Sequence, residues 1–543
     1  MTENSPTSEK SQLDLEKQEH VADFPGQATD NPAPEKLTPV ASIGASLHSV
    51  ETNPYGSRPA CFSSTLQECL FVLTTTMAIG QTSIFIGAAI CITSRIGEAL
   101  NMTAAEVTWI SAAQSLAAGC FLLFFGRVAD LFGRRQMFLW SMASFSACLL
   151  IIGFAKNAYY MDIFCGLSGV CSAAAVPPAI GTLGAVYTKP SRRKNRAFAC
   201  FSAGNPLGFV LGAFVAGIVM LVSTWRAVFW VLCVIYVVFT IIAWWTIPKD
   251  DGQVKGKFDM ETLAKFDFLG AFLAVVGIAM LTGALTLANT APQGWRTNYV
   301  IALLVIGIVL IAMFIYWQSI FKHPLMPLHV WKDRNFTLLN VILCLGFYGF
   351  SNNIFWLTLI WQRIDHCSPL EVALRLLPQA VGGLIVNLIA AMVMHRVSNK
   401  LLMIVGAVAY AISDSLLSAM PASSSWWAFT FPALVFSVIG ADFEFTITNM
   451  YVMSSLPPEQ QSVGGGIFNT VTRVSSSIGL GMSTAVFTGL GGSADGGVHA
   501  PFHAYQATFW VALAGAGVAL FFLPFLTLKS QGAKKKKGDS SVP

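Results

Sequence analysis

The chain has 543 residues, of which 11% are charged and 54% hydrophobic, and its mean hydropathy is +0.62. Its 33 basic and 28 acidic residues cannot clothe the roughly two to four domains that a soluble protein of this length would form. The net charge of +5 is too small and too scattered for a phosphate-tracking surface. An ordinary soluble enzyme, a disordered scaffold and a nucleic-acid binder are thereby excluded.

Residues 1–60 hold nine acidic and four basic residues, several Pro and Ser, and almost no aromatics. Such a segment buries too little apolar area to offset its ordering entropy, so a disordered cytoplasmic tail is expected. It lacks the basic and apolar regions of a signal peptide. From about residue 66, apolar runs recur with the length needed to cross a hydrocarbon layer about 30 Å thick. Fourteen are predicted, at about 66–92, 107–126, 137–155, 160–187, 198–221, 227–247, 268–290, 298–320, 337–361, 371–394, 402–420, 427–453, 463–489 and 506–528. In lipid every backbone polar group must be satisfied within the segment, so these are helices, and their recurring Gly, Ala and Ser suit close helix packing. Eight of the eleven cysteines lie inside apolar runs, where they act as small apolar residues. No disulfide framework, metal-ligand spacing or cofactor motif is present.

With the N-terminus placed in the cytoplasm, the inner loops and C-terminal tail carry 22 Lys and Arg, and the outer connections carry six. This imbalance puts both termini inside. Asn101 then heads a glycosylation sequon, Asn101-Met-Thr103, in the first outer loop, whereas Asn335-Phe-Thr337 lies inside and is expected to be unused. Residues 61–247 and 337–528 each hold six spans, which suggests two pseudo-symmetric bundles. Residues 248–336 form a linker with two inserted helices, and 529–543 a basic tail that rests on anionic lipid. The expected fold is an all-α polytopic membrane protein, with a substrate site near mid-membrane between the bundles.

The loop between spans 2 and 3 reads Gly126-Arg-Val-Ala-Asp130-Leu-Phe-Gly133-Arg134-Arg135. Its glycines permit close backbone approach, Asp130 can serve a helix N-terminus or a neighbouring Arg, and the arginines hold the loop at the inner surface. This decamer resembles the signature loop of the major facilitator superfamily. The equivalent stretch of the second half, Ala391 to Lys400, is degenerate, with His395 in the Asp position and Ser398 in that of the second Gly. Fourteen spans resemble the drug:proton antiporter branch. Local phrases are similar too: Trp225-Arg226 before span 6, Phe266-Asp267 through Gly270 opening span 7, His323-Pro through Pro327 before span 9, and Ser368-Pro369 before span 10. Gly80-Gln81 and Gly440-Ala-Asp442 look most like the fungal aminotriazole-resistance and boron-exporter type.

Span 5 places Gly204, Gly208 and Gly212 on one helical face, with a kink at Pro206, so a neighbouring backbone can pack there. The family's antiporter motif sits in this helix, but here Asn205 precedes the proline and no Gly pair follows. Span 4 has Cys165 and Ser168 where the family usually carries an Arg and a Gln linked to proton coupling. The N-terminal half thus has no ionisable group deep in the membrane. In the C-terminal half, Asp442 and Glu444 lie mid-way along span 12 and Arg473 within span 13. At 1.5 Å per residue, Glu444 and Arg473 both sit about 14–15 Å from the inner face. Charges there persist when they are paired or face a cavity. One carboxylate is expected to pair with Arg473 while the other faces the cavity and titrates; Asp442 is favoured for titration because the resembled subgroup keeps an Asp there. Gln81, Gln114, Asn352, Asn353, Trp356, Gln379 and Asn469 are candidates for a mixed polar and apolar substrate cavity.

No phosphate-binding loop occurs, which leaves an ion or substrate gradient as the energy source. None of the eight histidines lies deep in a span, which argues against a membrane enzyme with a histidine-box metal site. The expectation is a monomeric secondary transporter in the plasma membrane, rather than the vacuole. It would export a small organic compound or weak acid against protons by alternating access. Proton-coupled uptake, uncoupled facilitation and a transporter-like nutrient sensor are the alternatives.

Overall fold

A computed structural model describes residues 58–59, 61–102, 104–187, 191–248, 266–288, 291, 293–322, 324–367, 369–394, 396–457, 460–491 and 501–528. Both expected tails, most of the linker loop, Thr103 of the sequon, Ser368 and His395 lie outside the described residues. Within them every long element is a helix: α1 Thr65–Leu100, α2 Ala104–Phe132, α3 Arg134–Ile152, α4 Ala158–Val186, α5 Arg192–Ser202, α6 Gly204–Val222, α7 Trp225–Thr246, α8 Phe268–Leu287, α9 Asn298–Ile320, α10 Arg334–Arg363, α11 Pro369–Val393, α12 Asn399–Ser418, α13 Thr430–Ser455, α14 Gln461–Gly489 and α15 Phe502–Phe522. Short side chains close several N-termini: Ser64, Asn157, Ser191 and Ser398 each accept a hydrogen bond from the backbone N–H three residues on.

Among the described residues, 13 segments are long and apolar enough to cross a membrane, with α5 and α6 forming one of them. The fourteenth expected span is α14. It is a 29-residue helix, but it is rich in Gly, Ser and Thr and is not among the 13. Its surroundings explain this: α2, α4, α8, α10 and α15 all pack against it, so it needs little apolar surface for lipid. By contrast, α7 and α9 expose Ile241, Trp244, Trp245, Val305, Ile308 and Tyr316, as lipid-facing helices should.

The α1–α6 pair is the tightest in the N-terminal bundle. Gly208 lies so close to α1 that a Cβ there would sit 2.7 Å from the Gly80 carbonyl oxygen, and a Cβ on Gly212 would strike the Ile84 carbonyl. Gly87 of α1 faces Phe209 in the same way. The expected glycine face is therefore a backbone-to-backbone contact. The helix breaks at Ala203, between α5 and α6, because Pro206 has no N–H to offer the Ser202 carbonyl.

The two bundles meet at the Gly126–Arg135 turn. Asp130 and Arg134 form a buried ion pair, with Nη2 donating to Oδ1 at 2.7 Å and Nε at 3.0 Å. The same carboxylate accepts the backbone N–H of Ser462 at 3.2 Å and of Val463 at 2.9 Å, in the first turn of α14. Arg134 also donates to the Ser462 hydroxyl at 2.9 Å and to the Gly181 carbonyl at 3.1 Å, which ties in α4. Asp130 thus serves both a helix N-terminus and an arginine, where its charge and the α14 dipole attract. Glycines allow this approach. A Cβ on Gly126 would sit 2.9 Å from the Ser462 carbonyl oxygen, and one on Gly181 would strike the Ser462 hydroxyl. Gly133 has φ +108°, outside the range of ordinary side chains. Arg135 points away from the seal and donates to the Trp244 carbonyl at 2.7 Å.

At the same end, Glu68 of α1 accepts from the Tyr187 hydroxyl at 2.8 Å and pairs with Arg193 of α5 at 2.5 Å. Burial, and then the Glu68 carboxylate, hold the Tyr187 hydroxyl well above the usual phenol range, so it remains the donor. Of the inserted pair α8–α9, α8 lies against α2 and α14, and α9 packs on α8. Asp267 organises the pair by capping α8 at the Gly270 N–H (2.7 Å) and accepting from Trp317 Nε1 (2.8 Å) and Gln318 Nε2 (2.6 Å) of α9.

Two outcomes follow from these contacts. Gly208→Ala should cost about 1–3 kcal/mol by overpacking the α1–α6 contact. A lowered melting temperature in detergent reads this, with Gly217→Ala as the silent control, since a Cβ there meets nothing within 4 Å. Asp130→Asn removes the buried charge that Arg134, Ser462 and Val463 share, and should weaken the sealed arrangement by about 3–5 kcal/mol. A cysteine placed at the buried Gln461, in a background lacking the exposed Cys61, Cys69 and Cys200, should then react much faster with an aqueous maleimide. An unchanged rate would show that the carboxylate does not hold the seal.

Candidate functional site

A cavity of about 600 Å³ lies between the two bundles, in the range of small-molecule sites. Its floor begins beyond the seal: Leu122 is eight residues before Asp130 and Asn469 seven residues after Ser462. The N-terminal bundle contributes Ile79, Thr82 and Ser83 of α1, Ser172 of α4, and Asn205 and Pro206 of α6. The C-terminal bundle contributes Phe347 and Phe350 of α10, Gln379 of α11, Asp442 and Phe445 of α13, and Asn469 and Arg473 of α14. The wall is mostly aliphatic and small residues, with a cluster of phenylalanines on the C-terminal side. Phe347 stands 5.7 Å from Phe350 and 5.8 Å from Phe445, ring centre to ring centre.

The expected pairing of Arg473 with Asp442 or Glu444 does not form. Among the described residues the ion pairs lie elsewhere, and neither carboxylate comes within 4.0 Å of the guanidinium. The two carboxylates point in different directions, as their 200° separation around the helix requires. Asp442 lines the cavity, and its Oδ2 is buried with no hydrogen-bond partner. Glu444 is fully buried and does not reach the cavity. Its carboxylate lies beside Gly346 of α10 and near Tyr410 of α12, and neither of its oxygens has a partner. Arg473 lines the cavity with its stem against Gly119 of α2.

Of the seven polar candidates, Gln379 and Asn469 line the cavity and five do not. Gln81 donates to the Met142 sulfur at 3.0 Å, and Gln114 reaches Thr82 at 3.5 Å. Asn352 donates to the Thr508 carbonyl at 2.9 Å, and Trp356 to the Ser483 hydroxyl at 2.8 Å. Asn353 donates to Asp414 at 2.5 Å. These five join helices within a bundle, as buried amides and indoles do when each finds one partner. Gln379 and Asn469 keep partners as well, the Ser437 hydroxyl at 3.4 Å and the Gly465 carbonyl at 2.9 Å.

Sequence reasoning missed three features. Asp414, a third buried carboxylate of the C-terminal half, is a lone acid in the apolar run of α12, and that isolation was its available signal. The hydroxyls of Thr82 and Ser172, bonded at 2.9 Å, give the N-terminal bundle its polar face on the cavity. Asn205, noted above only as a departure in the antiporter motif, lines the cavity and accepts from Ser83 at 3.2 Å. Asn101, the sequon asparagine, is exposed and ends α1 in the left-handed conformation, φ 51°.

The sequence profile described as the Major Facilitator Superfamily matches residues 70–480 and again 341–542. Among curated relatives, a low affinity ammonium transporter of Saccharomyces cerevisiae is 27% identical, covering 84% of this chain and 88% of that one. An efflux pump, terJ, of Aspergillus terreus is 25% identical over 86% and 90%. The aminotriazole resistance protein of Saccharomyces cerevisiae is 24% identical over 84% of each. Among solved structures, the proton:xylose symporter XylE superposes with a TM-score of 0.60 at 12% identity, covering 85% of this chain and 98% of that one. A profile spanning most of the chain, an all-helical bundle and a central cavity agree: this chain is a multi-pass membrane protein of the Major Facilitator Superfamily, a family of transporters rather than enzymes.

Proposed function

We propose that the protein exports a small organic compound or weak acid in exchange for protons, by alternating access of the central cavity. The observation that carries this reading is Asp442: a carboxylate in the wall of the cavity between the bundles, with a buried oxygen that makes no hydrogen bond of ordinary geometry and meets no opposite charge, the Asn387 amide being its polar neighbour. Such a group binds either a proton or a donor group of the substrate, and that exclusion is the basis of exchange. Export as the direction draws support from relatives named as an efflux pump and an aminotriazole resistance protein. The excess of basic residues in alternate loops supports an inner position for both termini and for the Gly126–Arg135 turn. On that orientation the Asp130 seal closes the cytoplasmic end, and the arrangement described is the one that serves the outer side. The protein acts as a monomer in the plasma membrane, without cofactor or metal.

A second reading is uptake or uncoupled facilitation. It is favoured by the N-terminal bundle, which lines the cavity with hydroxyls, an amide and apolar groups but with no acid or base among the described residues. The relative named as an ammonium transporter points the same way.

Purified protein in liposomes, with aminotriazole as the first probe of a panel, separates the two readings. Under exchange, an imposed pH gradient drives accumulation of the probe against its concentration. Asp442→Asn then loses the gradient-driven component, by about tenfold or more, while its melting temperature stays near that of the parent. Transport in the parent that ignores the pH gradient would favour facilitation and remove the exchange role of Asp442.

A further inference from the structure

Asp442 and Arg473 are the one carboxylate and the one guanidinium in the cavity wall among the described residues, and they stand on adjacent helices, α13 and α14. They are not paired with each other. Neither is neutralised by other protein groups. Asp442 Oδ2 is buried and unpartnered, and the guanidinium of Arg473 makes no ion pair or hydrogen bond among the described residues. The other acids of the bundle are not available to Arg473. Glu444 is turned towards Gly346 and Tyr410, and Asp414 is held by Asn353 at 2.5 Å. Two separated opposite charges in a poorly hydrated wall are costly unless each meets a counter-group. A ligand with a single charge satisfies one of them and leaves the other buried and alone.

We infer that this cavity selects molecules with two poles, a protonated amine or amidine facing Asp442 and a carboxylate or similar anion facing Arg473, that also carry an apolar body lying against Phe347, Phe350 and Phe445. The inference rests on the proposed function in one respect: Asp442 is ionised when substrate is bound. The amine pole and the proton then compete for the same carboxylate. The anionic pole makes Arg473 a binding residue, not a member of a proton relay. The Phe347, Phe350 and Phe445 cluster suits a flat or ring-bearing body, and a cavity of about 600 Å³ admits molecules up to drug size. A bidentate guanidinium contact would orient the anionic end, a role that lysine fills poorly.

Three probes share one body and differ only in their poles: phenylalanine carries both, phenethylamine the amine alone, and 3-phenylpropionate the carboxylate alone. Binding is measured by calorimetry on the full chain in lipid nanodiscs. Phenylalanine should bind at least about tenfold more tightly than either single-pole probe. Arg473→Gln should bring phenylalanine down to the level of phenethylamine while leaving phenethylamine within about threefold. Asp442→Asn should bring it down to the level of 3-phenylpropionate. Arg473→Lys and a melting temperature for each variant separate a lost contact from a lost fold, since Lys should restore part of the preference. Equal affinity of the parent for phenylalanine and a single-pole probe would overturn the inference. So would an Arg473→Gln variant that keeps the preference, or the failure of all three probes to bind at about 10 mM. Proton-driven flux that survives any of these results would leave the exchange reading standing. Probe preference without a response to the pH gradient would remove the exchange reading alone.

Discussion

The carboxylate of Asp130 holds the two bundles together at one end of the molecule. It is buried, pairs with Arg134 of its own bundle, and accepts two backbone N–H groups from the first turn of α14 in the other. A helix N-terminus leaves its first N–H groups unsatisfied, and a buried carboxylate is the strongest partner they can find. This one group therefore neutralises an arginine, caps a helix and bridges the two halves. Without it Arg134 would keep its bonds to Ser462 and Gly181 but lose the Asp130 carboxylate, and the Ser462 and Val463 N–H groups would lose their acceptor. The cavity lies beyond this closure, its lining starting at Leu122 and Asn469.

Small residues set how closely the helices approach at the closure and within the N-terminal bundle. The α1–α6 contact, the Gly126–Ser462 contact and the Gly181–Ser462 contact all bring backbones to distances that a single added methyl group would forbid. The glycines of α6 unite helices within a bundle, whereas those at Gly126 and Gly181 face the other bundle. The first set fixes the shape of a rigid body. The second sets how closely the two bundles meet, which under the proposed alternating access is where contact is made and broken. In the inserted pair, joined through Asp267, α8 lies on α2 and α14, the helices that meet across this seam.

Much of the fold was legible because the bilayer imposes a strong constraint. Long apolar runs must be helices, and their order sets the topology. The glycine spacing of span 5 foretold a packed face. The Gly126–Arg135 turn foretold a specific junction, though not that Asp130 would serve both of its possible partners. Least legible was the direction of individual side chains. Gln81, Asn352 and Trp356 look like cavity residues when read along a helix, yet each turns to a neighbour in its own bundle. The depth of Glu444 and Arg473 matched well enough to suggest a pair, but depth leaves out rotation about the helix axis.

The linear order of residues determined by itself that this chain crosses a membrane many times, and that the Gly126–Arg135 turn and the C-terminal acids are unusual for their place in it. Those properties follow from hydrophobicity, helical rise and charge, all of which are local. The packed structure decided which acid faces the cavity, that Arg473 stands apart from both Asp442 and Glu444, and that Asp414 belongs with Asn353. Those depend on how each helix is rotated against its neighbours. Rotation is set by close contact between residues far apart in the chain, such as Gly208 with Gly80 or Asp130 with Val463.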